Sequence, residues 1–201
     1  LNNIVKKQST SMRSTYEEIA TIVKTVDNET IFDNQFGVYN KRYLMSKIER
    51  EVELIKEFKH KSSLIMIELD KDLKADVNSD KAVILMTKTI ARLLLKTSRR
   101  SDIVAHYGDG IFTMLLKHTD TSSAKKASER LCDLISDTNF FILEKEIKLK
   151  ISIGISEIFD SMSVEALVID GLDAIEEAYK DSKKDFAVSS KTKSRLYETR
   201  K

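Results

Sequence analysis

The alternation of two hydrophobic patterns between residues 33 and 180 is the feature that most restricts how this chain can fold. Segments with apolar residues at helical spacing are separated by short, continuous apolar runs of strand length. The helical segments are residues 41–58, 82–95, 122–136 and 164–180, and the strand segments are residues 63–69, 103–106, 111–116 and 148–154. This order predicts an α/β (α+β) domain in which a central, mostly antiparallel sheet is flanked by helices.

The charge of the chain is nearly balanced. Among 201 residues, 34 basic and 32 acidic side chains are closely interspersed and give a formal net charge of +2. This balance indicates neither nucleic-acid binding nor attraction to an anionic membrane surface. No apolar run approaches the roughly 20 residues that span a bilayer, so we expect no membrane insertion of this segment and a cytoplasmic location.

The cysteine and histidine content gives no indication of a metal centre. Cys132 is the only cysteine, which rules out an internal disulfide and fits a reducing compartment. Because it lies in an apolar helical stretch, we expect a buried structural thiol. His60, His106 and His118 lie far apart in the sequence without metal-ligand spacing, so the sequence predicts no zinc site.

Residues 1–32 form a separate unit in the sequence. Apolar residues recur every seven positions, and two more fall at the alternate seam positions of the same stripe. These residues are Val5, Met12, Ile19, Val26, Tyr16 and Val23. We interpret the stripe as a signalling helix, a coiled coil that joins two protomers into a homodimer and receives a signal from an upstream sensor or receiver domain. An amphipathic helix packed on its own domain is the alternative.

Four segments of the remaining sequence carry a resemblance to a known family. They are DNQFGVYNKRY from Asp33, LIMIELD from Leu64, RRSDIVAHYG from Arg99 and KISIGI from Lys150. In order and spacing they resemble the GGDEF family, whose members convert two GTP molecules to cyclic di-GMP where two domains meet. The resemblance implies the nucleotide-cyclase, palm-like fold of that family over residues 33–186, with residues 187–201 left as a polar C-terminal tail.

The family signature is altered in this chain. It reads Gly108, Asp109, Gly110, Ile111 and Phe112. The resemblance implies that the fourth position should be a metal-binding carboxylate, and the aliphatic side chain of Ile111 offers no ligand. It also implies that the second glycine lets the backbone approach phosphate groups, which the charge of Asp109 would repel. We therefore expect a degenerate domain that is not an enzyme.

Other positions that the family uses for GTP have changed as well. The metal carboxylates persist only as Glu68 and Asp70, which we interpret as vestigial, so no metal site is predicted. Ala75 and Ile84 stand where the resemblance implies base-reading Asn and Asp side chains in a loop. The phosphate-contacting lysine of the family would fall near Ser182. Binding and turnover of GTP are not expected.

One family site is retained. Arg99 and Asp102 match the R-x-x-D motif that, in the family, binds the product cyclic di-GMP as an inhibitor. A guanidinium can donate two hydrogen bonds to the O6 and N7 edge of guanine, and a carboxylate can accept from its N1 and N2 hydrogens. Arg130, on the helix at 122–136, is a candidate second basic contact. The alternative is an exposed ion pair between residues three apart on a helix end.

The sequence therefore predicts a catalytically inactive GGDEF domain that requires no cofactor and acts as a cyclic di-GMP receptor or signalling module. Two alternatives stay open. A nucleotide-independent dimerisation or protein-interaction scaffold would bind no dinucleotide, and a residual nucleotidyl transferase would form product from GTP with Mg²⁺ or Mn²⁺. A ligand-dependent rise in melting temperature separates the receptor from the scaffold.

Overall fold

The computed structural model describes residues 31–77, 79–142, 144–181 and 185–198. The heptad stripe of residues 5–26 and the position of Ser182 lie outside the described residues, so both stay predictions. None of the described helices is both long and apolar enough to cross a membrane.

Eight strands and six helices make up the described part of the chain. The strands are β1 (Tyr39–Asn40), β2 (Ser62–Leu69), β3 (Ile103–Gly108), β4 (Ile111–Leu116), β5 (Asn139–Ile142), β6 (Lys145–Lys148), β7 (Ile151–Ile158) and β8 (Phe186–Val188). The helices are α1 (Lys41–Phe58), α2 (Lys71–Val77), α3 (Asp80–Thr97), α4 (Thr121–Ser136), α5 (Val164–Lys180) and α6 (Ser190–Glu198).

Six strands form one sheet in the order β1-β3-β4-β2-β7-β8, and β5 pairs with β6 in a separate hairpin. The three central pairings are antiparallel, whereas β1 and β8 add to the two edges in parallel. The predicted fold class, a mostly antiparallel sheet flanked by helices, is confirmed. The predicted strand at residues 148–154 lies instead at Ile151–Ile158, because residues up to Lys148 belong to the β5–β6 hairpin.

Helices cover both faces of the sheet. The alternation of side chains along β2 shows this directly, since Leu64 and Met66 pack in the cluster that includes α1 and α5. Ile65 and Ile67 pack in the cluster that includes α3 and α4. All four side chains are buried, which explains why β2 has a continuous apolar sequence rather than an alternating one.

The sheet and α5 approach each other closely at two glycines. A Cβ atom added to Gly154 on β7 would lie 2.2 Å from the carbonyl oxygen of Gly171 on α5. A Cβ atom added to Gly171 would lie 2.7 Å from the Sδ atom of Met66. The absence of side chains at both positions therefore sets the distance between helix and strand.

The loop predicted between β2 and the next long helix is mostly helical. The Asp70 side chain accepts a hydrogen bond of 3.0 Å from the amide of Leu73 and so caps α2. Ser79 caps α3 by accepting from the amide of Ala82 at 3.4 Å. The prediction of a loop was wrong because these two capping residues start helices on either side of residue 78.

The predicted polar tail is part of the domain up to residue 198. β8 pairs with β7, and the amide of Ser189 donates to the carbonyl of Ile155 at 2.8 Å. The buried hydroxyl of Thr192 on α6 accepts from the amide of Glu157 at 3.0 Å. The tail prediction was wrong for residues 187–198, because a short apolar strand and two buried hydroxyl groups fix this polar segment to the sheet.

Candidate functional site

A two-residue turn joins β3 to β4 at the altered signature. Asp109 and Gly110 form the turn with φ angles of +52° and +76°. Two positive φ angles are typical of the type I′ turns that connect hairpin strands, and Asp-Gly is a favoured sequence for them. Gly108 pairs with Ile111 across the turn, as the sequence predicts for a hairpin.

The changed signature position lies beside the carboxylate of Glu68. Ile111 on β4 is paired directly with Glu68 on β2, so their side chains point to the same face of the sheet. Ile111 packs against the apolar cluster of α1 and α5. The next residue, Phe112, is buried on the opposite face, with its ring centroid 5.3 Å from that of Phe36.

A lysine fills the space next to Glu68. The ammonium of Lys74 on α2 lies 2.8 Å from Oε1 of Glu68, whose side chain is only 12% exposed. The same ammonium is 3.9 Å from where the Cβ atom of a side chain at Gly110 would be. A positive charge therefore sits between the β2 carboxylate and the signature turn. We call the surroundings of Glu68, Lys74, Gly110 and Ile111 the signature cleft.

Two further contacts link α2 to α5 beside the signature cleft. Lys71 donates a short hydrogen bond to Glu176, and the hydroxyl of Tyr179 donates to Oδ1 of Asp72 at 2.8 Å. The hydrogen bond between Lys71 and Glu176 raises the pKa of the ammonium and lowers that of the carboxyl. Lys71, Asp72 and Lys74 of α2 are thus all paired with groups of the same chain.

Three other positions expected for GTP, Asp70, Ala75 and Ile84, lie in the described part of the chain. Asp70 caps α2 with one oxygen, and its other oxygen is 3.7 Å from the ammonium of Lys150. Ala75 lies on α2, and the side chain of Ile84 is exposed on α3. In the described ranges, no three His, Cys, Asp or Glu side chains are grouped so that they could hold a metal ion.

A cavity of about 330 Å³ lies where the end of α3 and the start of β3 meet α4. It brings together the three residues that the sequence singled out for a dinucleotide, Arg99, Asp102 and Arg130. The remaining lining is apolar side chains and hydroxyl groups, namely Ile65, Met114, Leu116, Ala127, Leu131, Thr97, Thr119 and Ser123. We call this cavity the Arg99 pocket.

Asp102 is only half satisfied in the Arg99 pocket. Its Oδ2 atom accepts a hydrogen bond of 2.8 Å from the backbone amide of Arg99. Its Oδ1 atom is buried and has no hydrogen-bond partner. The Arg99 side chain is exposed and makes no ion pair with Asp102, so the two residues do not form the exposed ion pair considered as an alternative.

The family model described as "Diguanylate cyclase, GGDEF domain" matches residues 30–185 of the chain. The protein belongs to the GGDEF domain family. A curated relative, the probable diguanylate cyclase DgcC of Escherichia coli (strain K12), is 25% identical over 136 residues. The match covers 65% of this chain and 35% of DgcC, so the chain spans about a third of the length of the curated relatives it matches.

Solved structures of other GGDEF domains share the fold. The coiled coil and GGDEF domain of DgcB from Caulobacter crescentus, solved in complex with c-di-GMP, matches with a TM-score of 0.82 and 12% identity, covering 92% of this chain and 98% of that one. The GGDEF domain of FimX from Pseudomonas aeruginosa matches with a TM-score of 0.68 and 19% identity, covering 78% and 96% of the two chains.

A histidine–aspartate pair fixes the N-terminal edge of this GGDEF domain. Nδ1 of His106 lies 2.8 Å from Oδ2 of Asp33, and the His106 ring packs against Phe36 with centroids 4.7 Å apart. Burial tends to raise the pKa of Asp33, but hydrogen bonds from His106 and from the amides of Gln35 and Phe36 outweigh it and hold the pKa below its usual value. Sequence reasoning missed this pair.

Two histidines of the GGDEF domain that are distant in sequence are neighbours in space. The rings of His60 and His118 have centroids 4.4 Å apart, because the start of β2 lies beside the loop after β4. His60 also lies 2.7 Å from the buried carboxylate of Glu51 on α1. The separation of these two histidines in the sequence is therefore not preserved in space. Cys132 is only partly buried, which departs from the expected buried thiol, and this partial burial raises the pKa of the thiol to about 12.

Proposed function

We propose that this GGDEF domain is a catalytically inactive receptor for cyclic di-GMP and that the ligand binds in the Arg99 pocket. The buried, unpartnered Oδ1 atom of Asp102, which lines one cavity together with Arg99 and Arg130, is the observation that carries the proposal. A buried carboxylate oxygen without a hydrogen-bond donor is unfavourable, so this position favours a ligand that brings a donor.

The composition of the Arg99 pocket fits a guanine dinucleotide. The N1 and N2 hydrogens of guanine can donate to Asp102, while Arg99 and Arg130 can contact the base edge or the phosphates. The apolar part of the lining offers a surface against which a flat base can pack. The solved DgcB structure with c-di-GMP supports the same ligand class for a domain of this fold.

The signature cleft supports the inactive half of the proposal. A divalent cation bridging a triphosphate needs several oxygen ligands, and Ile111 supplies none. The remaining carboxylate of Glu68 is neutralised by Lys74, so a metal ion would have to displace an internal cation. The residues present therefore do not fit the catalytic metal ions of the family, and no metal-dependent step is proposed.

The oligomeric part of the proposal concerns residues 1–32. We propose that this segment joins two protomers as a coiled coil in the cytoplasm and connects the domain to an upstream sensor or receiver domain. The heptad stripe supports this, and the DgcB structure combines a coiled coil with a GGDEF domain.

Calorimetric titration of the purified chain with cyclic di-GMP, and separately with GTP and Mg²⁺, tests the proposal. We expect saturable binding of cyclic di-GMP and no heat from GTP. Arg99→Ala should weaken binding by about tenfold to a hundredfold, since hydrogen bonds to charged groups contribute about 1.5–3 kcal/mol. Arg50→Ala removes an exposed, ion-paired arginine from α1 and serves as the matched control.

A different experimental result would contradict each part of the proposal. No heat with either nucleotide would favour the scaffold alternative over the receptor. If Arg99→Ala bound cyclic di-GMP as tightly as the parent, the Arg99 pocket would not be the binding site. Formation of cyclic di-GMP from GTP with Mg²⁺ or Mn²⁺ would contradict catalytic inactivity.

A further inference from the structure

The outer face of α3 carries a row of cations. Lys81, Lys88, Arg92 and Lys96 are all exposed, and the last three follow one another at intervals of four residues. Residues at this spacing are neighbours on a helix, so like charges there repel each other and destabilise the helix. Within the described part of the chain, none of the four makes an ion pair. We call these four residues the basic row.

Helix α1 shows what an ordinary solvated face looks like in the same molecule. It also has 18 residues, but its exposed side alternates in sign, with Glu49, Arg50, Glu53 and Lys56. Arg50 and Glu53 form an ion pair of 2.8 Å. The basic row is therefore a local property of α3 and does not follow from the nearly neutral composition, which predicted no attraction to an anionic surface.

Large apolar side chains lie among the cations of the basic row. Ile84, Leu85 and Leu95 expose 38%, 49% and 44% of their surface. At 3.6 residues per turn, all three share the face of α3 that carries the basic row, and the ten-residue separation of Leu85 and Leu95 corresponds to about 15 Å.

We propose that this face of the domain lies against an anionic phospholipid surface. Lys88, Arg92 and Lys96 would contact lipid phosphates, and Leu85 and Leu95 would reach between the headgroups. Four or more basic residues on one helix, with apolar side chains on the same side, are a pattern typical of peripheral binding to anionic lipids. The charge of the basic row is complementary to such a surface.

The distribution of the apolar side chains favours lipid over a protein partner. A docking site for a protein helix needs a contiguous apolar centre surrounded by polar residues. On α3, the exposed Leu85 and Leu95 are separated by the charged side chains of Lys88 and Arg92. The proposal is independent of the receptor function, because Lys88, Arg92 and Lys96 do not line the Arg99 pocket.

Co-sedimentation of the full chain with vesicles tests the proposal. We expect binding to vesicles of phosphatidylcholine mixed with phosphatidylglycerol and none to pure phosphatidylcholine. Binding should fall as the salt concentration rises from about 0.05 M to about 0.5 M, because salt screens exposed charges. Replacing both Lys88 and Arg92 by Glu should reduce binding more than tenfold, and Leu85→Ser should reduce it at every salt concentration.

The matched control places the same change of charge on α1. Arg50→Glu combined with Lys56→Glu should leave vesicle binding unchanged, and circular dichroism verifies that both double variants are folded. Equal binding to neutral and anionic vesicles, no binding to either, or full binding by the α3 double variant would overturn the proposal. Binding to DNA or to polyglutamate, with none to anionic vesicles, would assign the basic row to a different polyanion and would also overturn it.

Discussion

The charged groups of the signature cleft are paired with one another, whereas those of the Arg99 pocket are not. In the signature cleft, Lys74 neutralises Glu68, and Lys71 neutralises Glu176. In the Arg99 pocket, one oxygen of Asp102 has no partner, and the Arg99 side chain is exposed. Charged groups that are paired within the protein stabilise the fold but offer a ligand few free hydrogen-bonding positions. A buried acceptor without a partner can instead be satisfied by a donor of the ligand, which favours binding.

Replacing Asp102 tests whether its unpaired oxygen takes part in ligand binding. Of the changes considered, this one should have the largest effect, a loss of cyclic di-GMP affinity. In Asp102→Asn, the side chain cannot accept both from the Arg99 amide and from guanine, so cyclic di-GMP affinity should fall about a hundredfold, or about 2.7 kcal/mol. Isothermal titration measures the loss. Asp173→Asn, an exposed change on α5, should bind like the parent. Equal affinities of the two variants would contradict the contrast.

Removing one cation from each site tests how much that cation contributes to the free energy of unfolding. Lys74→Met leaves the nearly buried Glu68 without its partner and should lower the free energy of unfolding by about 2 kcal/mol. Arg99→Met removes an exposed cation without an ion pair and should change it by less than about 0.5 kcal/mol. Urea denaturation compares the two. A larger loss for Arg99→Met would reverse our interpretation.

Rebuilding a carboxylate pair in the signature cleft should make it respond to metal. Lys74→Ala with Ile111→Glu places two carboxylates on paired positions without an internal cation. Mn²⁺ at about ten times its Kd should then stabilise the variant by about 1.4 kcal/mol and raise its melting temperature by a few degrees. The parent should not respond. Ile111→Glu alone isolates the contribution of Lys74, and an equal response of that single variant would show that Lys74 does not block the metal.

The Asp33–His106 pair should give the smallest effect, and this effect should disappear at acidic pH. Because the folded protein holds the pKa of Asp33 below 3.8, its contribution is present above that value and is lost as pH falls through the lower folded pKa. Asp33→Asn should lower stability at pH 6 by about 1 kcal/mol. The difference from the parent should shrink below about pH 4. A difference that stays constant down to about pH 2 would argue against this account.

Much of the fold could be predicted where local sequence signals agree. The bounds of α1 and α5 match the prediction, since each has an apolar stripe that begins at a capping side chain, Asn40 or Ser163. The Arg99 pocket could also be anticipated, because Arg99 and Asp102 lie in one short motif. Arg130 was also a candidate from the sequence, and the fold places it in the same cavity by packing α4 beside the end of α3.

The missed features depend on contacts between distant segments. The pairing of Lys74 with Glu68 was not predicted because residue 74 was expected in a loop, although Asp70 carries a capping signal for α2. The contact of His60 with His118 arises from the pairing of β2 with β4, and no local pattern encodes it. α6 was missed because its attachment relies on hydroxyl groups such as that of Thr192 rather than on an apolar stripe.

The close approach of β7 and α5 has a consequence for how this sequence can vary. At Gly154, an added methyl group meets a backbone carbonyl that cannot move without displacing α5, so related chains with this helix position should keep glycine there. At Gly171, the methyl group meets mainly the flexible side chain of Met66, with the Ser156 hydroxyl at an ordinary contact distance of 3.7 Å. Alanine at 171 should therefore be found together with a smaller residue at 66, which makes these two positions a co-varying pair.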